Sequence, residues 1–263
     1  MKKIILVLAV FLLISCSSED SKESASANSF AINAVVSSET VTVDQEFTIT
    51  VTSSQNMTGI LYSFDNFATE RGLYSSFGTT KTLKFYLDKV GVTTIYFKAT
   101  NEANAVSGVT SVAVTVNRGN ALKITGLQII SFNGINTTWD PEFPTSNPNH
   151  LADVFFGFLK TKLQTPFAGG YNYSNWYTSS VKQNQGDLTW NFTSENLYIQ
   201  PQSTIRMGLV DEDTPPLGQD LMMGPPDYRD FNFSTYTTTK PSIITFTYPE
   251  INLEFKITVE WPN

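Results

Sequence analysis

The chain has 263 residues, with 17 lysines and arginines against 24 aspartates and glutamates, a net charge of −7. Nucleic acid and anionic membrane surfaces call for a positive face, and this balance excludes one as a general feature of the surface. A single cysteine and a single histidine exclude an internal disulfide and a histidine-rich zinc site, so the fold must be held by packing.

At the N-terminus, Lys2 and Lys3 precede an unbroken apolar run, Ile4 to Ile14. Eleven apolar residues are too few to cross the roughly 30 Å of bilayer hydrocarbon, and the pattern is that of a secretory signal over residues 1–15. The sequence Leu13-Ile14-Ser15-Cys16 resembles the lipobox of bacterial lipoproteins, which implies lipidation of Cys16 and a lasting lipid anchor. Ser17 stands where an inner-membrane lipoprotein typically has aspartate, so the resemblance implies the outer membrane. Ser17-Ser18-Glu19-Asp20 is similar to the export signal of some Gram-negative surface lipoproteins, which implies an outward-facing protein; the periplasmic face is the alternative. Removing Lys2 and Lys3 leaves a net charge of −9. Residues 16–29 hold no aromatic or large aliphatic side chain and are expected to form a flexible tether, about 20 Å long as a random coil.

From Phe30 the dominant period is two, as in half-buried antiparallel strands. Phe47, Ile49 and Val51 alternate with threonines; Leu83-Phe85-Leu87, Ile95-Phe97-Ala99 and Val112-Val114-Val116 follow. Polar clusters such as Ser53-Ser54-Gln55-Asn56 and Lys89-Val90-Gly91 predict turns. About seven short strands over 30–117 predict an immunoglobulin-like sandwich. VDQEFTITVTSS, LYSFDN and VGVTTIYFKATNEAN resemble PKD-type members of that superfamily, modules that act as spacers or adhesion units, with Ser63-Phe64-Asp65-Asn66 replacing their usual Asp-Phe-Gly-Asp-Gly turn. Asn117 to Asn120 reads as a short linker.

A second all-β domain is expected over 121–263. Its predicted strands are 122–130, 153–159, 188–192, 196–199, 204–210, 228–233, 242–248 and 251–261, enough for another sandwich. Leu253, Phe255, Ile257, Val259 and Trp261 face one way, with charged and polar residues between them.

Carboxylates carry the only distinctive chemistry. Met207-Gly208-Leu209-Val210 runs into Asp211-Glu212-Asp213, followed by Asp220, Leu221-Met222-Met223 and Gly224. Residues 211 and 213 point the same way at a strand end. Calcium takes six to eight oxygens, and short aspartate side chains suit it. An EF-hand is excluded because Pro215-Pro216 occupies the bend that motif gives to glycine. The segment resembles the third calcium loop of C-2 type domains of protein kinase C and synaptotagmin, one residue longer than usual between Asp213 and Asp220. Asp140, after Trp139, and Asp153, before Val154-Phe155-Phe156, are similar to the aspartates of that family's first loop. The resemblance implies an eight-stranded sandwich and a calcium site built from Asp140, Asp153, Asp211, Asp213 and Asp220. Leu217 is the one candidate loop-tip residue, while Leu221 and Met223 are expected to begin a strand and face the core.

Between Phe167 and Tyr177, aromatics mix with glycine and asparagine. Tyr171, Tyr173, Trp176 and Tyr177 can stack on sugar rings, or pack their loop onto the sheet. His150 stands alone in Asn147-Pro148-Asn149-His150, the lipobox takes the only thiol, and the carboxylates have metal-loop spacing, so no enzyme is expected. The expectation is an all-β, two-sandwich lipoprotein that binds or adheres, calcium-dependent, with a protein or glycan partner at the cell surface. The alternatives are a metal-independent subunit of a surface assembly and a glycan-binding lipoprotein.

Overall fold

The computed structural model describes residues 30–161, 173–213 and 218–262. The signal, Cys16, the tether, Tyr171 and Leu217 lie outside the described residues.

The first unit contains β1 (Ile32–Val36), β2 (Thr40–Thr42), β3 (Phe47–Ser63), β4 (Arg71–Phe85), β5 (Gly91–Asn101) and β6 (Thr110–Asn117). They pair in the order β1-β3-β5-β6-β2, with β4 also on β3. One strand does double duty. The first part of β3 lies between β1 and β4, and its second part lies between β5 and β4. Register shifts around Met57 mark the change of partner, as bulges do where a strand bends. The Ser53–Asn56 turn expected from composition therefore does not exist: these polar residues are the middle of a 17-residue strand. Inside, Phe85 packs edge-on against Tyr62 and Phe97, with ring centroids 5.7 and 6.1 Å apart. Asp65 closes the turn after β3, accepting hydrogen bonds from the Ser63 hydroxyl and from the Thr69 N–H and hydroxyl.

The second unit contains β7 (Leu122–Ser131), β8 (Val154–Lys160), β9 (Ser174–Thr178), β10 (Thr189–Asn191), β11 (Leu197–Ile199), β12 (Ile205–Glu212), β13 (Gly218–Asp220), β14 (Arg229–Phe231), β15 (Ile243–Tyr248) and β16 (Leu253–Glu260). One sheet runs β10-β7-β16-β15 with β11 also on β7; the other runs β13-β12-β8-β9 with β14 also on β12. Both sheets contribute to one core, including Leu127, Phe255 and Ile257 from the first and Phe156, Phe158 and Leu209 from the second. All eight predicted strands are present, with ends moved by one or two residues; β9 and β13 are additional. Leu221 is buried as expected, but its buried companion is Met222, while Met223 is half exposed at positive φ and no strand begins there.

The two units are joined by more than the tight turn at 118–121. Lys160, at the end of β8, is fully buried and its ammonium reaches Asp44 at 2.9 Å and Asp88 at 3.3 Å, both in the first unit. Asp44 also accepts from the Gln200 N–H at 3.2 Å and the Ser203 hydroxyl at 3.4 Å, and Asp88 accepts from the Trp176 indole N–H at 2.6 Å. Tyr198 packs against the first core, and Arg118 donates to the carbonyl of Glu260. A buried charge is costly unless paired and hydrogen-bonded, and each of these three is. The residues expected to be a linker are thus the seam of a fused pair.

Candidate metal centre

Along β12, Ile205, Met207, Leu209 and Asp211 all take the inward positions of a period-two pattern. The last of them is a carboxylate with no solvent exposure. Its Oδ1 accepts the backbone N–H of Asp153 at 2.6 Å, while Oδ2 is buried with no hydrogen-bond partner. Burial raises the Asp211 pKa to about 6; the Asp153 N–H opposes the shift, and the charges of Asp140, Asp213 and Asp153 reinforce it. Asp140 is raised for the same reasons, by burial first and then by Glu142, Asp213 and Asp153.

Asp140 is delivered by a loop folded on itself. The Trp139 and Asp140 N–H groups both bond the His150 carbonyl, at 2.8 and 3.3 Å, and the Trp139 indole N–H bonds the Gly134 carbonyl at 2.9 Å. A single 3₁₀ turn, Pro148–His150, capped by the Asn147 side chain, returns the chain towards Asp153. One carboxylate oxygen each from Asp140, Asp211 and Asp213 lie within 4.8 Å of one another. Oxygens around one calcium at about 2.3–2.6 Å stand up to about 5 Å apart, so the three can share an ion.

The other two predicted aspartates divide. Asp153 lines the same open pocket, of about 370 Å³, with Glu142, Glu212 and Asn184. Its Oδ1 accepts the Asn184 N–H at 2.6 Å. Asp220 is elsewhere: its two oxygens accept the N–H groups of Met222 and Gly224, at 2.7 and 2.6 Å. The register explains this. Asp211 stands opposite Gln219 and Val210 opposite Asp220, and facing residues of an antiparallel pair share a side. This register turns Asp220 away and brings Gln219 to the site, where its amide donates to Asp213 at 3.2 Å. The Gln183–Gln185 turn, a third wall that the aspartate pattern did not reveal, is a polar stretch with Asn184 and Gln185 at positive φ.

The aromatics serve the junction and the core. A register shift between Phe158 and Leu159 lets both Trp176 and Tyr177 of β9 pack on the second core. Tyr177 lies 5.2 Å from Phe192, ring to ring, and the Lys160 ammonium sits 4.4 Å from the Trp176 ring centre. Tyr173 and Tyr228 both stack on the guanidinium of Arg206, at 3.7 and 3.5 Å, and that group is bidentate to Asp230.

Comparison with protein-family models and with curated proteins returns no match. Among solved structures, the chain is similar to the fibronectin(III)-like modules of Clostridium thermocellum CbhA. That match has 10% identity over 71% of this chain and 89% of that one, with a TM-score of 0.26. It is also similar to the D00-D0 domain of Intimin, at 10% identity over 71% of this chain and 96% of that one, with a TM-score of 0.22.

Proposed function

We propose that this protein is a non-catalytic lipoprotein of the outer membrane, facing outward, that acts as a binding or adhesion module. In this reading its second unit is a C-2-like domain whose loop end is organised by calcium. Asp140, Asp211 and Asp213 are the ligands, Asp153 closes the rim, and Asp220 holds its own loop without touching the ion.

The observation that supports calcium is Asp211 Oδ2. An ionised oxygen buried without a donor costs about 1–3 kcal/mol or more, and a divalent cation among three carboxylates offsets that cost directly. The bound ion would fix the 132–153 loop against the end of β12, giving a partner at the cell surface a firm contact end.

The test is thermal melting of the full chain in calcium and in chelator. Extracellular calcium sites bind at about 0.1–1 mM, so 10 mM calcium should stabilise the fold by about 1.4–2.7 kcal/mol, a rise of several degrees. Asp211→Asn with Asp213→Asn should abolish the rise. A melt indifferent to calcium, or a rise that survives the double substitution, refutes the calcium site.

A further inference from the structure

The carboxylate cluster opens onto a pocket of about 370 Å³, within the about 300–1,000 Å³ of small-molecule sites. Its walls are fixed to one another. On one side, the Gln183–Gln185 turn is held to the start of β8 by the reciprocal backbone bonds of Val154 and Lys182, at 2.9 and 2.8 Å. The Gln185 N–H adds a bond to the Ala152 carbonyl at 2.8 Å, and the Gln185 side-chain carbonyl accepts the Asn136 N–H at 2.8 Å. That last bond ties the turn to the loop carrying Asp140. On the other side, the Asp140 carbonyl accepts the Phe143 N–H at 3.1 Å, which sets Phe143 in the wall. Walls already placed save the ordering cost that weakens binding between mobile parts.

We propose, resting on the calcium reading above, that this pocket takes a neutral saccharide which coordinates the calcium through two adjacent hydroxyls. Coordination number leaves room for it. Asp140, Asp211 and Asp213 offer one oxygen each, and calcium takes six to eight. About three to five positions are left for other oxygens, and a vicinal diol fills two of them with one molecule.

Charge selects the class of sugar. Asp140, Glu142, Asp153, Glu212 and Asp213 line the pocket, and among the described residues no lysine or arginine does. With Asp211 they make six carboxylates against the two positive charges of one calcium, so the pocket stays negative around the ion. That field repels a phosphate headgroup, a uronic or sialic acid and an acidic peptide, whereas a hydroxyl carries no charge to repel. A cationic ligand would be drawn in without the ion, and a chelator separates the two cases. The uncharged lining suits the rest of the sugar. Asn149, Gln183 and Asn184 carry amides, each with two donors and an acceptor for hydroxyls. Phe143 supplies a half-exposed phenyl ring for the C–H face of a pyranose.

The experiment is a glycan array of neutral and acidic saccharides, with phosphatidylserine vesicles alongside, probed with the full chain. It is run at a calcium concentration that raises the melting temperature, and again in chelator. Neutral glycans should be retained in calcium and released by chelator, and O-methylation of the diol should abolish the hit. Phe143→Ala and Gln183→Ala leave every carboxylate in place. Each should weaken a neutral hit about two- to tenfold, the loss expected for one ring contact or one hydrogen bond, with the calcium-induced rise in melting unchanged. If calcium gives no rise in melting, the metal site and this inference fall together. A rise accompanied by a blank array overturns this inference alone. Retention in chelator, acidic glycans or vesicles bound as well as neutral glycans, or affinity unmoved by both substitutions also overturns it.

Discussion

Replacing Lys160 by methionine should unfasten the two units. Methionine keeps the aliphatic stem inside β8 but removes the ammonium from Asp44 and Asp88, whose side chains are 0% and 7% exposed. Among the described residues, Asp44 would retain the Gln200 N–H and the Ser203 hydroxyl, at 3.2 and 3.4 Å, and Asp88 the Trp176 indole. Breaking a buried ion pair from one side costs about 3–5 kcal/mol, because the remaining charge stays in the interior. At about 2–4 °C per kcal/mol for a fold of this size, the melting temperature should fall by about 6–20 °C. The loss is concentrated at the junction, so calorimetry should resolve two transitions where the parent shows one, and proteolysis should find the 118–121 turn. The triple variant Lys160→Met, Asp44→Asn, Asp88→Asn removes all three charges together and should recover most of the stability. A single variant melting within 2 °C of the parent as one transition, or a triple variant no better than the single, would refute this account of the junction.

Four further outcomes are expected. Gln219→Asp restores a carboxylate on the Asp211 side of β13, so calcium titration should show tighter binding by about tenfold. Asp220→Ala should lower the melting temperature in chelator and in calcium alike, leaving the calcium-induced rise unchanged, because its oxygens serve Met222 and Gly224. Asp211→Asn should melt higher than the parent in chelator, by about 1–3 kcal/mol, since it removes a buried charge whose Oδ2 lacks a donor. The Asp65 carboxyl is held down to about 2, first by the Ser63 hydroxyl and then by Thr69. A depressed carboxyl stabilises the fold above its unfolded value near 3.8, and that stability is lost as pH falls through about 2. The melting advantage of the parent over Asp65→Asn should therefore shrink between pH 4 and 2, and a constant gap would contradict it.

Much of the second unit could be read from alternation alone, because β8, β12 and β16 each bury one face. The same alternation put Asp211 and, one residue past the end of β12, Asp213 on one side. It could not place Asp220, whose side depends on how many residues the loop spends before pairing resumes. Nor could it identify β3 as one strand: Ser53 to Asn56 have the composition of a turn, and only the change of partner strands explains polar residues there. Lys160 ends an apolar strand and reads as a surface lysine. Its burial comes from Asp44, more than a hundred residues earlier, and no local pattern records such a pairing. Trp176 was legible as a chemically loaded residue, but its bond to Asp88 was not.

The fused seam also determines how the molecule would carry tension. β7 leaves the junction at Leu122 and β16 returns to it at Glu260, where Lys123 and Glu260 are register partners and Arg118 holds the returning carbonyl. A pull between β1 and the end of β16 therefore runs through the first unit and the seam, and bypasses the remaining length of the second. The acidic loops lie at the opposite end of β8 from Lys160, about 20 Å away at the rise of a strand, outside that line of force. A protein so arranged can be strained across its seam while the geometry of its acidic loops stays slack and unaltered.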